Sequence, residues 1–400
     1  MPSTFPILSV RVAFASASPY TDSPTWSTIT HDVRYIRTIQ GRFHSLDRIE
    51  AGTVNIELLN HRGQYWPKNA SGDYYPNVLP AKRISVIASY PTVLTPYYLS
   101  TAFAESWTPG FLSIGGKGPI VSLAGADIIK PLSRVLLNDG TGYAQELSGT
   151  RVGNVLDDAG WNATERSIDA GQSQMQATGA LANVNAMEHL YNVQDSERGL
   201  LYQHGSGYIV FQDRIYRLTN ATSITPQAVF SDVAGIGEFS YHAFTSIYDD
   251  QYIYNDVRIT RIGGTEQAVS DAASQSAYGL RGTATTGMLM TTDAEAMNLA
   301  LDQLSQFKDP YFRIQNITIL PQNDPTNLWP LALGLMVSDR ITVKLSSAGI
   351  DEDYYIEAIS HDIDCVNLQW RTTWELRPVN LFAHWVLDSS ELDLSTRLSY

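Results

Sequence analysis

The five residues His361-Asp362-Ile363-Asp364-Cys365 combine an imidazole, two carboxylates and a thiol, the groups that hold metals, move protons or attack carbonyl carbon. Their spacing argues against all three uses. Successive side chains of a strand point to opposite faces, so His361 faces away from Asp362 and Asp364, and a solvated strand edge accounts for them. Cys365 shares a face with His361 and Ile363 and reads as a small buried apolar residue. It is the one cysteine of the chain, which excludes an intrachain disulfide and a cysteine-rich zinc site. Gly115-Gly116-Lys117-Gly118 lacks the spacing and the following hydroxyl of a phosphate loop and reads as a hairpin turn. Tyr248-Asp249-Asp250 and Asp351-Glu352-Asp353 lack the ligand spacing of a calcium loop and read as hairpin tips. Neither G-x-S-x-G nor H-E-x-x-H occurs. Carboxylate pairs for glycoside hydrolysis cannot be singled out among 41 acidic residues. No catalytic residue, cofactor or metal is assigned, and the chain is expected not to be an enzyme.

The elements around these residues are mostly strands. Segments 54–60, 83–89, 97–107 and 119–125 are rich in β-branched and aromatic residues and separated by turn residues. Val54, Ile56 and Leu58 alternate as one buried face. Near residue 131 the pattern changes. Val152, Val155 and Leu156 have helical spacing, with Gly160 at the end. A second helix is expected from Asn185 to Arg198, where Asn185 and Glu188 stand at the capping-box offset, followed by a hairpin over 200–213. A third runs from about Asp293 to Phe307 behind a Thr292/Glu295 capping box. Strands follow over 312–320, 340–346, 353–363 and 367–377. The expected fold is mainly β with α+β insertions: a β-barrel domain over 1–130, an α+β domain over 131–217, a second barrel over 218–380 containing the 293–307 helix, and a tail over 381–400.

The two β regions share words. Arg83-Ile84-Ser85-Val86 precedes Tyr97-Tyr98-Leu99, and Arg340-Ile341-Thr342-Val343 precedes Tyr354-Tyr355-Ile356, with 14 residues from Arg to the first Tyr in each. A strand and a loop holding Trp-Pro, Trp66-Pro67 or Trp329-Pro330, precede each copy. This is the pattern of one β unit used twice, so three such chains would supply six similar units. The loop at 59–80 carries Tyr65, Trp66, Tyr74 and Tyr75 among Pro, Gly and Asn, residues enriched at the cores of protein interfaces. These four are candidate intersubunit contacts. The formal charge of −14, with scattered basic residues, argues against a nucleic-acid binder. The pairs Arg34/Arg37, Lys82/Arg83 and Arg258/Arg261 read as solvated strand faces. No window approaches the roughly 18 apolar residues of a membrane span, and no signal peptide is read at the N-terminus. Folding in a reducing cytoplasm fits.

Several of these stretches resemble a known family. Gly41-Arg42, Asp47-Arg48 after Leu46, Ala51-Gly52-Thr53, Asn60-His61-Arg62-Gly63-Gln64-Tyr65 and Tyr74-Tyr75-Pro76-Asn77 resemble the opening domain of minor tail proteins of long-tailed bacteriophages. Segment 151–173, the hairpin ending at 210–214 and the ending 382–400 resemble later parts of the same family. The resemblance implies a baseplate hub in the virion, made in the host cytoplasm. In it, a homotrimer with two tail-tube-like barrels per chain forms a pseudo-sixfold ring. The ring joins the tail tube and distal tail proteins to a central fibre or spike, near the tape measure protein. DNA would cross its channel without specific binding, so channel-facing side chains are expected to be neutral or acidic, with Glu57, Glu357 and Asp362 as candidates. The alternative is a tail component that binds host cell-wall carbohydrate through its exposed Trp and Tyr.

Overall fold

The computed structural model describes residues 5–44, 47–112, 118–138, 140–379, 384–385 and 397–398. The turn at 115–117, Leu46 and most of the 381–400 tail lie outside the described residues.

Alternating apolar side chains build two copies of the same strand arrangement. The first comprises β1 (Ile7–Val12), β2 (Val33–Gly41), β3 (Thr53–Leu59), β4 (Arg83–Ser89), β5 (Pro96–Leu112) and β6 (Gly118–Ala126). Val54, Ile56 and Leu58 of β3 are buried as their alternation requires. Within this copy the lateral order is β2-β3-β6-β5-β4, antiparallel throughout, with β1 beside β4.

The chain then leaves the sheet for a helical region with its own core. It contains α1 (Ser148–Asp158), α2 (Ala186–Glu197) and the hairpin β7 (Leu200–Gln203) and β8 (Ile209–Gln212). Gly160 lies just past α1 with φ +72. Asn185 caps α2, its side chain accepting from Glu188 N. A short strand β9 (Val229–Ser231) and then β10 (Ala243–Ile247) return to the large sheet.

A second excursion separates β10 from its partner. Strands β11 (Asp256–Arg261), β12 (Gln267–Ser270) and β13 (Gly282–Met288) form a small sheet. α3 (Asp293–Phe307), capped by Thr292, covers it with Leu299 and Leu304 on Val257 and Ile259. This unit has a core of its own inside the stretch read from sequence as the second barrel.

The second copy is completed by β14 (Arg313–Ile319), β15 (Arg340–Leu345), β16 (Ile350–Asp364) and β17 (Gln369–Pro378). Its order is β10-β14-β17-β16-β15, again antiparallel. The expected division into two barrel domains is not confirmed. β16 also pairs with β2, so both copies belong to one 14-stranded sheet, and no closed barrel forms among the described residues.

The Trp-Pro parallel is corrected. Residues 325–334 form a helix, α4 (Pro325–Gly334), with Pro330 inside it and Trp329 wholly buried in the core of the first copy. Trp66, in the loop of the first copy, is 44% exposed.

Candidate functional site

The two copies meet at a joint built by Gly41, Arg42, Glu357 and Ala358. β2 runs antiparallel to β16 from Tyr35 opposite Asp364 to Gly41 opposite Ala358. Gly41 has φ +100, and a Cβ on it would stand 2.2 Å from the Glu357 carbonyl oxygen. Only glycine allows this approach. Arg42 N then donates to that carbonyl at 3.0 Å.

Glu357 sits in a bulge, where the pairing of β16 with β17 skips from Ile356 to Ala358. The bulge turns its carboxylate into the interior, where it is 1% exposed. It accepts from Arg42 Nε at 2.7 Å and Arg217 Nη1 at 2.5 Å, with Arg377 Nη1 at 4.0 Å. Burial alone would raise its pKa, but Arg217, Arg42 and Arg377 hold it well below the usual carboxylate range. Burial lowers the Arg377 pKa, and the Arg42 and Arg217 charges lower it further. The expectation that Glu357 faces a channel is thus corrected: it is the anion of a buried three-arginine cluster.

The three arginines line one wall of a partly open cavity of about 440 Å³. Further ion pairs cross its walls. Arg48 reaches Asp195 at 2.9 Å and Glu188 at 2.9 Å, Arg214 reaches Glu295, and Arg198 pairs with Asp302. Arginines of the first copy, the helical region and the second copy thus brace one another through shared carboxylates. The sequence signal for this was Gly41-Arg42 alone, because Arg217 and Arg377 are remote in the chain.

The aromatic loop divides in two. Tyr65 is fully buried and its hydroxyl donates to Asp32 at 2.6 Å. Its ring stacks on Tyr74 at 5.5 Å, and Tyr74 stacks on Phe14 at 4.1 Å. Asn60 Oδ1 accepts from Tyr65 N, and Gly63 takes φ +67, which explains the Asn-x-x-Gly-x-Tyr spacing. Tyr65 is therefore occupied inside its own chain, a correction to its reading as an intersubunit contact, while Tyr74 is half-buried against the same core. Trp66 and Tyr75 remain exposed, at 44% and 47%. Trp66 lines an open groove of about 740 Å³ with His61, Lys68, Trp107 and Pro109.

Glu57 and Asp362 share the polar face across the joint, in register rows with Tyr35 and Arg37. Glu57 pairs with Arg34 at 3.1 Å, and Asp362 accepts from the Tyr35 hydroxyl at 2.5 Å with Arg37 at 3.6 Å. Arg83, read as solvated, is buried and bound to Glu165 at 2.8 Å. His361 lies buried between Trp370 and Thr372, and burial lowers its pKa to about 4. Burial raises the Cys365 thiol to about 11, a poor nucleophile. Among the described residues no cluster of His, Cys, Asp and Glu has metal-binding geometry. No described helix is long and apolar enough to cross a membrane.

No protein-family model and no curated protein matches the sequence. Solved structures do match. The 43 kDa tail protein of prophage MuSo2 from Shewanella oneidensis aligns over 92% of this chain and 98% of its own, with 13% identity and a TM-score of 0.59. The tail protein of Neisseria meningitidis MC58 aligns over 94% and 98%, with 13% identity and a TM-score of 0.61. An E. coli type VI secretion component, described as similar to the T4 bacteriophage tail proteins gp27 and gp5, covers 87% of this chain and 73% of its own, with 8% identity and a TM-score of 0.50. Over nearly its whole length the chain thus has the fold of these tail proteins.

Proposed function

We propose that this protein is a structural component of a phage tail, acting at the tail tip as a hub. Three chains form a ring of six similar units there. What carries the reading is the duplicated five-strand order, β2-β3-β6-β5-β4 and β10-β14-β17-β16-β15, in one chain. A duplicated unit lets three copies present near-sixfold symmetry to a sixfold tube above and threefold symmetry to a fibre or spike below. Its contacts in the virion would be the distal tail, tail tube and tape measure proteins and a central fibre or spike. The face bearing Glu57 and Asp362, whose carboxylates balance Arg34 and Arg37, would line the channel as a wall with no excess of positive charge to hold passing DNA. Native mass spectrometry of the purified protein tests the ring: a trimer supports it, and a strict monomer at every concentration opposes it. Tight, salt-sensitive binding of duplex DNA by the assembled ring would contradict a neutral or acidic channel.

The Trp66 groove favours a second reading, binding of cell-wall carbohydrate by aromatic stacking. Retention of the isolated chain on host wall polysaccharide, lost in Trp66→Ala, would support it.

A further inference from the structure

The joint between β2 and β16 is made once inside the chain, yet the duplicated units contain the parts for a second. The equivalence is fixed by backbone detail. Ala81 and Ser338 both take positive φ, +61 and +77, two residues before Arg83 and Arg340. Ala81 N donates to Ala104 O and Ala104 N to Lys82 O, while Ser338 N donates to Ile356 O and Ile356 N to Asp339 O. The next residue is bulged in both strands, Glu105 in β5 and Glu357 in β16.

Counting on from the bulges makes Phe111 the counterpart of Ile363. One transverse row runs Ile36, Ile56, Leu123, Trp107 in the first copy and Phe244, Ile317, Trp374, Ile359 in the second. Phe244 is therefore the counterpart of Ile36. Ile36 and Ile363 face each other across the internal joint and are both 0% exposed. Their counterparts face no second strand edge among the described residues: Phe244 is 38% and Phe111 70% exposed. Among the described residues β10 pairs only with β14, and β5 beyond residue 105 pairs only with β6.

We propose that a second copy of this chain completes this joint. The β5 edge of one copy, residues 108–112, pairs antiparallel with β10 of the next, setting Phe111 opposite Phe244 and Gly110 opposite Thr245. The deduction rests on the ring reading above and deepens it. The contact is heterologous: it uses two different edges, so each copy keeps one edge of each kind until the assembly closes. Unpaired, an exposed strand edge with apolar side chains is an aggregation hazard, and closure removes it. Pro109 has no N–H to give, so the joint has at most one bond fewer than its internal counterpart. Trp107 and Pro109 also line the Trp66 groove, so the same neighbour would cover the exposed half of the aromatic loop.

The test is directed cross-linking in a Cys365→Ala background. A Cβ on Gly110 meets only Ile120, at 3.5 Å, so Gly110→Cys is accommodated. Thr245 is exposed. Directly opposed strand residues place Cβ atoms about 4.5–5.5 Å apart, close to disulfide reach. The variant carrying both Gly110→Cys and Thr245→Cys is expected to form disulfide-linked oligomers on mild oxidation. Mixing the two single variants should give only a linked dimer. Phe111→Asp is expected to weaken self-association at least tenfold with an unchanged melting temperature. Native oligomers that never link through this pair would overturn the joint and leave the ring standing. Linked chains whose closed form is not a trimer would support the joint and overturn the ring. A protein that stays monomeric and unlinked would overturn both.

Discussion

Glu357→Gln isolates the charge at the joint, since it keeps the shape of the side chain and removes its anion. In the native protein Arg42, Arg217 and Arg377 surround one carboxylate, an excess of two positive charges; in the variant the excess is three. Breaking a buried charge cluster by removing one partner costs about 3–5 kcal/mol. For a unit of this size that corresponds to a fall in melting temperature of roughly 6–20 °C. The pH dependence is equally specific. Glu357 has a depressed folded pKa, so its stabilisation is present above the ordinary glutamate value of 4.5 and is lost as pH falls through its folded value. The gap between native protein and variant should therefore be full at pH 7 and pH 5.5 and close only in strong acid. Calorimetric melting across this range measures it. A variant as stable as the native protein at pH 7, or a gap that closes near pH 6, would refute the reasoning.

Gly41→Ala should open the same joint, because its Cβ meets backbone at 2.2 Å, whereas Gly237→Ala, with φ +80 and open space around it, should cost only about 1–2 kcal/mol; equal melting temperatures would count against the close approach. Glu375 behaves in the opposite sense to Glu357. Burial raises its pKa to about 7, partly offset by Asn316, so its ionisation weakens the fold as pH rises from 4.5 through 7. Glu375→Gln should be near neutral at pH 5 and stabilising at pH 8, and equal destabilisation at both would be inconsistent with this. Tyr65→Ala should cost about 3–5 kcal/mol, while Trp66→Ala should leave stability within about 0.5 kcal/mol and affect assembly instead. Urea unfolding of the two variants separates these roles.

Much of the fold was legible because local rules govern it. The caps at Asn185 and Thr292 are side-chain hydrogen bonds within four residues, and the alternation of Val54, Ile56 and Leu58 reports one buried face. Arg-Ile-Ser-Val and Arg-Ile-Thr-Val do occupy equivalent strands. The tyrosine words lie on equivalent strands, β5 and β16, but at different positions along them: Ile84 pairs with Ala102 and Ile341 with Tyr354, because the hairpin after β4 is longer, and the matched spacing of 14 was fortuitous. The candidate sites were harder to read because their deciding contacts are long-range. Tyr65 looks like an exposed loop aromatic until Tyr74, Trp107 and Asp32 close over it. Glu357 looks like an alternating polar residue until a bulge turns it inward toward arginines from three regions. Helix α4 escaped notice because Pro325 and Pro330 argue locally for a loop, while burial of Trp329 and Leu333 holds the helix in place.

The central claim is that one chain supplies two equivalent units to a tail ring, and an electron-microscopy reconstruction of the intact tail tip tests it most directly. The account predicts three copies of this chain at one level, six similar β units around the channel, and β5 of each copy beside β10 of the next. Six copies at that level, or a density in which the two units of one chain occupy unrelated positions, would contradict it.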